Sequence, residues 1–298
     1  MTKLYDTEKK EDLIYDVGMH KGEDTEYYLR KGFRVVAFEA DPDLAKSCRS
    51  RLSEYLDQGK LTIVEGAIVD LASSETSKGK ITFFKNDQNS VWGTICKDWA
   101  ERNERLGASS SSIEVDVIDF VSIMRHYGVP YYLKIDVEGV DTFCVEALQN
   151  FQERPDYVSI ESDKTSLKQV ANEIHLFSSL GYDSFQAVEQ SSIPDTQFPP
   201  KPAKEGKYVA QNFERGSSGL FGRELTGHWK SKHHILKLYR LILLGYKLLG
   251  DDGVLRGKKS FLVKKLRKRI RTLLSFITQA PCPGWYDTHA RHSSANTR

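Results

Sequence analysis

Two acids and two glycines near the start of the chain are arranged as in a nucleotide-type binding site. An apolar run ends in Asp16 and turns through Gly18 and Gly22, and a second apolar run ends in Glu39, 21 residues after Gly18. Glycine lets a backbone approach a ligand closely, and an acid at the tip of a second strand can accept hydrogen bonds from ribose hydroxyls. In sites of this kind the acid follows the turn by roughly 20 residues.

The order of the two glycines bears on which ligand the site takes. They are spaced G-x-x-x-G, whereas a dinucleotide fingerprint needs G-x-G-x-x-G to receive a pyrophosphate. The missing glycine argues against NAD or FAD. It favours a nucleoside ligand without phosphates, such as S-adenosylmethionine.

Four further residues around this turn are candidate contacts of the cofactor. Asp16 is predicted to hydrogen-bond loop amides or the methionine amine of the cofactor, and His20 lies inside the turn, where it contacts the cofactor or points to solvent. Glu65 and Ala67 end the predicted third strand beside the expected adenine position. Backbone amides there, or the Glu65 carboxylate, could read the adenine amino group.

The segment LKIDVEG carries the candidate catalytic residues. Lys134, Asp136 and Glu138 alternate with Leu133, Ile135 and Val137, which places the three charged residues on one face of a strand and its exit. A charged stripe on a buried parallel strand is costly unless its members pair or serve a site.

If the ligand is S-adenosylmethionine, the reaction is a methyl transfer, which mainly requires that the acceptor be positioned and its proton removed. Asp136 is favoured as that carboxylate, with Glu138 binding the acceptor or holding Lys134; the sequence does not separate the two acids. A metal-assisted alternative would pair Asp136 with Glu161 at the next strand end.

Five segments together resemble the FkbM-type S-adenosylmethionine-dependent methyltransferases over roughly residues 13–190. They are DVGMHKG, FEADP, NSVWGT, VDVIDF and LKIDVEGVD, in this order. GSSGLFG at 216–222 and WYDTHA at 285–290 also look like parts of one branch of that family. Asp141 stands where the family often has Glu.

The resemblance implies a class I methyltransferase that acts on a hydroxyl of a sugar, glycan or natural-product-like acceptor. It also suggests that the segment 214–229 contributes to acceptor binding, with an ordered surface loop as the alternative. Trp92 and Thr94 are candidate lining residues of the pocket, and Trp92 is alternatively a packed cover. His289 is a candidate base if the WYDTHA segment returns to the site.

The remaining pattern predicts the elements that hold these residues. Strands alternate with helices, which indicates a Rossmann-like, seven-stranded, mostly parallel sheet with helices on both faces. Strands are expected at 13–17, 33–39, 60–66, 113–118, 131–137, 156–161 and 183–189, with an antiparallel arm at 80–86 and a final edge strand at 208–213. Helices are expected at 23–31, 42–57 (capped by Asp41), 119–127, 140–150 and 165–179, a turn at 68–70 and a loop at 107–112.

The carboxyl-terminal part differs from the rest in charge and pattern. Residues 253–277 carry nine Lys or Arg and no acid, and 278–298 add +1, which leaves a net charge of −8 on residues 1–252. Helical apolar spacing from Lys230 onward divides the chain into a methyltransferase domain, 1–229, and a basic helical extension, 230–298. The basic stretch, 253–277, is expected to contact an anionic membrane surface or to dock on the protein, and nucleic acid is less favoured.

Composition supports an enzyme inside the cell and leaves two rival functions. Four dispersed cysteines without a C-x-x-C pair and an amino terminus without an apolar signal core indicate a cytoplasmic protein. The rivals are a nicotinamide-dependent oxidoreductase, opposed by the glycine spacing, and a non-catalytic module that binds membranes or anionic polymers through the basic stretch. The oligomeric state stays open.

Overall fold

The structure of the chain is a computed structural model. It describes residues 4–69, 79–86, 93–97, 100–101, 109–137, 141–162, 166–250, 253–255, 260–278 and 281–297.

Ten strands occur in the described residues. They are β1 (Lys9–Val17), β2 (Arg34–Glu39), β3 (Leu61–Glu65), β4 (Ala67–Ile68), β5 (Lys80–Asn86), β6 (Ser110–Ile118), β7 (Val129–Ile135), β8 (Tyr157–Glu161), β9 (Tyr182–Glu189) and β10 (Tyr286–His292). The main sheet has seven of them, mostly parallel, in the order β3-β2-β1-β7-β8-β10-β9. The predicted fold class is confirmed.

Nine α-helices accompany these strands in the described part of the chain. They are α1 (Glu23–Arg30), α2 (Pro42–Arg51), α3 (Ser53–Asp57), α4 (Phe120–Tyr127), α5 (Asp141–Ala147), α6 (Leu167–Ser179), α7 (Ile193–Thr196), α8 (Lys232–Leu249) and α9 (Phe261–Thr278). Asp41 caps α2 by accepting a hydrogen bond from the amide of Asp43, and Asp119 caps α4 by accepting one from the amide of Ser122.

By internal contacts the chain divides into two compact units. The first comprises Met1–Ile160, Pro199–Gln211 and Phe221–Glu224. The second comprises Glu161–Phe198, Asn212–Leu220 and Leu225–Arg298. The domain boundary predicted between residues 229 and 230 stays a prediction.

The first unit contains the parallel strands around β1. The chain runs outward from β1 to β2 and β3, and β7 then returns to the other side of β1. A reversal of strand order of this kind opens a crevice at the carboxyl ends of the two central strands. The two faces of β1 meet different helices: the ring of Tyr15 packs against Phe120 of α4, and Asp16 contacts Thr25 of α1.

A small second sheet, in the order β4-β6-β5, also belongs to the first unit. β5 and β6 are antiparallel, and Ala67 pairs with Val117 in a parallel bridge. The apolar side chains of Ala67, Val69, Phe83 and Val115 form its buried core.

The second unit contains the antiparallel pair β9 and β10 together with α6, α8 and α9. The pair extends from Tyr286 opposite Glu189 to His292 opposite Tyr182. Ser162, Tyr239 and Thr288 join their hydroxyl groups in a buried hydrogen-bonded cluster. Among the helices described, none has both the length and the apolar character needed to span a bilayer.

Several predictions about elements were wrong. Residues 208–213 form no strand, and the strand predicted at 113–118 belongs to the small sheet as β6. The seventh strand of the main sheet is instead β10, which contains residues 286–290 of the WYDTHA segment. The predicted turn at 68–70 includes Ile68 of β4, and strand β6 starts at Ser110, inside the predicted loop. The helix predicted for 42–57 breaks at Leu52, where the backbone leaves helical geometry, and β7 ends at Ile135, one residue before Asp136.

Candidate active site

The turn after β1 requires a glycine at position 18. Gly18 has a φ of 81°, its amide donates to the carbonyl of Phe38 at 3.1 Å, and a Cβ there would collide with the carbonyl oxygen of Asp136. The backbones of β1, β2 and β7 therefore converge at this residue. Any side chain would force them apart, so the turn forms a cradle that only glycine allows.

Glu39 lies at the tip of β2, and its carboxylate accepts hydrogen bonds from two loops beside the cradle. Its Oε2 accepts from the amide of His20 at 2.7 Å, and its Oε1 accepts from the amide of Asp41 at 2.8 Å. Burial raises the pKa of Glu39 to about 7, although the two amide hydrogen bonds oppose this shift. A carboxylate has about four lone-pair positions, so two remain for ribose hydroxyls.

His20 and Gly22 shape the same turn mainly through their backbone. His20 has a φ of 53°, and its ring Nδ1 lies 3.3 Å from Oε1 of Glu23. Gly22 precedes α1 with a φ of 77°, and its amide donates to the carbonyl of Met19 at 2.8 Å. The positive φ at both positions closes the turn, in which the amide of His20 donates to Glu39 and the amide of Gly22 donates to Met19.

A cluster of charged side chains next to the cradle fixes its backbone. The ammonium of Lys134 lies 3.0 Å from Oδ1 of Asp16 and 3.8 Å from Oδ2 of Asp136, and it donates to the carbonyl of Gly18 at 2.8 Å. Burial by itself would lower the pKa of Lys134, but the carboxylates of Asp16 and Asp136 raise it above its usual value. Lys134 is therefore a cation that fixes its neighbours and has no free pair to act as a base.

Asp16 is fully buried, and its second oxygen accepts a hydrogen bond from the hydroxyl of Thr25 at 2.6 Å. Thr25 is a residue that the sequence analysis missed; the only signal was its place among the polar residues that open α1. Because both oxygens of Asp16 contact protein groups, Asp16 supports the cradle through Lys134 and Thr25. Its direct contact with a cofactor stays a prediction.

Asp136 is the accessible acid of this cluster. It follows the last residue of β7, its amide donates to the carbonyl of Val17 at 2.9 Å, and its side chain is 35% exposed. Glu138, the second predicted acid, lies outside the described residues. Asp141 accepts a hydrogen bond from the amide of Val137 at 3.2 Å, which ties the start of α5 to the exit of β7.

Glu65 and Ala67 lie where the third strand ends. Glu65 is the register partner of Glu39, and its exposed carboxylate pairs with the guanidinium of Arg49 at 2.5 Å. The methyl group of Ala67 is buried in the core of the small sheet. The structure thus gives each side chain a protein partner, and adenine binding by either residue stays a prediction.

The other predicted site residues have different outcomes. Trp92 lies outside the described residues, and Thr94 is buried and pairs through its backbone with Phe84. His289 is buried on β10, and burial lowers its pKa to about 3, so its imidazole is a weak base. Phe221, from the segment 214–229, is a core residue whose ring stacks on Tyr132 at 4.9 Å.

Among the described residues, the structure provides no set of ligands for the metal-assisted alternative. No cluster of three or more His, Cys, Asp or Glu side chains that could hold a metal ion occurs there.

The reversal of strand order, the glycine cradle and the acid at the tip of β2 together define a Rossmann-like protein that binds a nucleoside. The family model of the methyltransferase FkbM domain matches residues 16–190, more than half of the chain. The chain belongs to the FkbM methyltransferase family, and it is an S-adenosylmethionine-dependent methyltransferase.

Several solved methyltransferase structures resemble the chain at low identity. An S-adenosylmethionine-dependent methyltransferase from Archaeoglobus fulgidus is 11% identical with a TM-score of 0.39, and the match covers 95% of this chain and 87% of that one. One from Geobacter sulfurreducens, in complex with S-adenosyl-L-homocysteine, is 9% identical with a TM-score of 0.33, over 95% of this chain and 84% of that one. None of the curated proteins compared with the chain matches it.

The described residues fit S-adenosylmethionine. Gly18 lets the turn after β1 pack directly against the backbone of Asp136, and Glu39 keeps unused acceptor positions at the tip of β2.

Proposed function

We propose that this methyltransferase transfers the methyl group of S-adenosylmethionine to a hydroxyl oxygen of a sugar, glycan or natural-product-like acceptor. The observation that carries the proposal is the partly exposed carboxylate of Asp136 at the end of β7, beside the Gly18 cradle. A hydroxyl, unlike a neutral amine, must lose its proton to become a good nucleophile. A carboxylate near the acceptor supplies a base for that proton.

Bound S-adenosylmethionine supplies a methyl group activated by its sulfonium. Glu39 would accept hydrogen bonds from the ribose hydroxyls, while Gly18, His20 and Gly22 shape the turn against the cofactor. Asp136 would orient the acceptor hydroxyl and receive its proton. Lys134 acts as a positioning residue, because it holds Asp136 and the carbonyl of Gly18 in one ionic cluster.

The proposal that the acceptor is sugar-like rests on the FkbM resemblance. The proposal that the methylated atom is a hydroxyl oxygen rests on Asp136 as the base. The test is to incubate the enzyme with S-adenosylmethionine labelled on its methyl group and a panel of glycosides, glycans and polyketide-like alcohols. Mass spectrometry should locate the label on oxygen. A deoxy analogue of the best acceptor, lacking only the methylated hydroxyl, should gain none; label found on nitrogen would refute the hydroxyl assignment.

We further propose that the enzyme is cytoplasmic and peripheral to an anionic membrane surface, contacted through residues 253–277. The specific observation in favour is that α9 exposes both apolar and basic side chains.

A further inference from the structure

Helix α9 is largely free of the core of its unit. Of its 18 residues, all of them described, Leu274 alone is buried. Twelve large hydrophobic side chains are exposed in the described part of the chain, and six of them belong to this one helix: Phe261, Leu262, Leu266, Leu273, Phe276 and Ile277. Such a concentration marks an interaction surface, since scattered apolar residues are ordinary on soluble proteins.

The apolar residues of α9 divide into a side that rests on the protein and a side that does not. Leu274 packs near Gly245 of α8, where the missing side chain permits close approach. Leu262, Leu266, Leu273 and Ile277 are spaced by four, seven and four residues, so they form one stripe along the helix. This stripe, called here the outer stripe, faces solvent.

Basic side chains accompany the outer stripe. The helix carries six Lys or Arg and no acid: Lys264, Lys265, Arg267, Lys268, Arg269 and Arg271. Lys265 and Arg269 lie three or four positions from the leucines of the stripe and are therefore its neighbours on the helix surface. A groove on the adjoining side of the helix, which meets the outer stripe at Leu273, is lined by basic and aromatic side chains and one threonine: Phe261, Lys264, Lys265, Lys268, Arg269, Thr272 and Phe276.

We propose that α9 is a docking helix that lies flat in the interface of an anionic lipid bilayer. The outer stripe and the rings of Phe261 and Phe276 enter the acyl boundary, and the flanking cations contact lipid phosphates. This inference deepens the peripheral location proposed above by naming the face and the residues; it does not depend on the nature of the acceptor.

Charge and apolar surface together favour lipid over two other occupants, a second copy of α9 and a nucleic acid. A second copy of α9 on the same face would bring six cations against six, which like-charge repulsion opposes. A nucleic acid would satisfy the cations but leave the leucines of the outer stripe in water. An anionic bilayer satisfies both groups at once.

The test is co-sedimentation of the full-length protein with vesicles of phosphatidylcholine alone or with phosphatidylserine added. Binding should require the anionic lipid, and raising the salt from about 0.05 M to about 0.5 M should weaken it. Leu266→Gln with Leu273→Gln, and separately Lys265→Glu with Arg269→Glu, should each lower the partition coefficient by about tenfold or more.

Matched controls use residues that are exposed elsewhere. Phe276→Ser should also lower vesicle binding, and Phe198→Ser is its control. Lys60→Glu with Lys168→Glu is the control for the paired charge reversal. The control variants should bind as the unchanged protein does. Circular dichroism and the binding of S-adenosylmethionine without vesicles separate a loss of docking from a loss of fold or of the cofactor site.

Three results would overturn the proposal. They are no binding to anionic vesicles at low salt, equal binding to phosphatidylcholine alone, and vesicle binding that the α9 variants leave unchanged. Tight binding of a labelled oligonucleotide without vesicle binding would assign the face to nucleic acid. A dimer that Phe276→Ser dissociates, again without vesicle binding, would assign it to a second copy.

Discussion

Glu39 connects two loops at the proposed cofactor site through one carboxylate, and the pKa of that carboxylate is raised to about 7, so its charge depends on pH near neutrality. Its two oxygens bind the amides of His20 and Asp41, which come from different loops. Because the folded pKa is raised from 4.5, ionisation costs folding free energy, and the contribution of Glu39 to stability falls as pH rises from about 4.5 to about 7. Cofactor binding opposes this, since ribose hydroxyls donate best to the ionised form.

Affinity for S-adenosylmethionine is therefore expected to rise with pH through about 7. Between pH 5.5 and 8.5 the gain should be about 30-fold, because binding at low pH must first remove the proton from Glu39. Calorimetry across this range measures it. Glu39→Gln should bind about 10- to 100-fold more weakly at pH 8.5 and lose the pH dependence. Glu54→Gln, an exposed control, should behave as the unchanged enzyme. If the affinity of the unchanged enzyme for S-adenosylmethionine does not vary with pH, the ribose role of Glu39 is wrong.

Asp136→Asn should lower turnover by about 10²–10⁴-fold while leaving affinity for S-adenosylmethionine nearly unchanged. The amide keeps the shape of the side chain but cannot take a proton. Single-turnover measurements with a saturating alcohol acceptor give the chemical step, and calorimetry gives cofactor affinity. Asp12→Asn, at an exposed ion pair elsewhere in the first unit, is the control. Nearly full turnover in Asp136→Asn would place the base on another residue, with Glu138 next.

At the scale of elements, a buried ion pair fixes the end of α1. The ammonium of Lys31 lies 2.9 Å from Oε2 of Glu224, and both side chains are fully buried. Glu224 also accepts from the amides of Lys204 and Glu205, at 3.1 and 3.2 Å. Three separate stretches of the first unit thus meet at one carboxylate.

Removing the cation alone should be costly, because it leaves a buried charge without its partner. Lys31→Met is expected to lower the free energy of unfolding by about 3–5 kcal/mol, and Lys31→Met with Glu224→Gln should recover most of it. The glutamine side chain in that double variant keeps an amide oxygen that can accept from the two backbone amides. Urea denaturation measures both. Arg34→Met, which breaks the exposed pair with Asp12, should cost only about 0–1 kcal/mol. An equal loss in the single and double variants would contradict this account.

The elements also show what the sequence could and could not reveal. Local signals were sufficient for α1, β2 and the cap of α2, because caps, glycine turns and apolar runs act over a few residues. β10 was missed because Asp287, Thr288 and His289 are polar and yet buried, so the strand lacks an apolar pattern. Its partner, β9, lies about a hundred residues earlier, and pairing over that distance leaves no local trace.

The same limit applies to the site. The spacing of Gly18 and Glu39 predicted the cradle and the acid, since both features depend on residues close in sequence. The partners of Asp16 were not predictable, because Lys134 comes from a strand more than a hundred residues away. Only the register of β1 with β7, which puts Asp16 opposite Lys134, brings the two charges together.

At the scale of the whole molecule, the carboxyl-terminal part contains two segments that differ in their importance for stability. α9 buries one residue, Leu274, and Ser275 accepts a hydrogen bond from the amide of Cys282, whereas β10 is paired with β9 over its full length. The chain returns from α9 close to the end of α8: the hydroxyl of Tyr246 donates to the carbonyl of Gly284, and Cys282 lies against Gly245. We therefore expect that a short linker can replace α9 between these two points.

Replacing residues 253–280 with a short Gly-Ser linker should leave a folded enzyme that still methylates a soluble acceptor and no longer binds anionic vesicles. Ending the chain at Gly284 should instead abolish cooperative unfolding of the second unit, because β9 then loses its antiparallel partner and Ala290, Thr288 and Tyr286 leave the core. Thermal denaturation followed by circular dichroism, with turnover assayed on the same samples, distinguishes the two deletions. If the linker variant melts as early as the truncated chain, α9 is a structural element of its unit and the separation of roles proposed for the two segments is wrong.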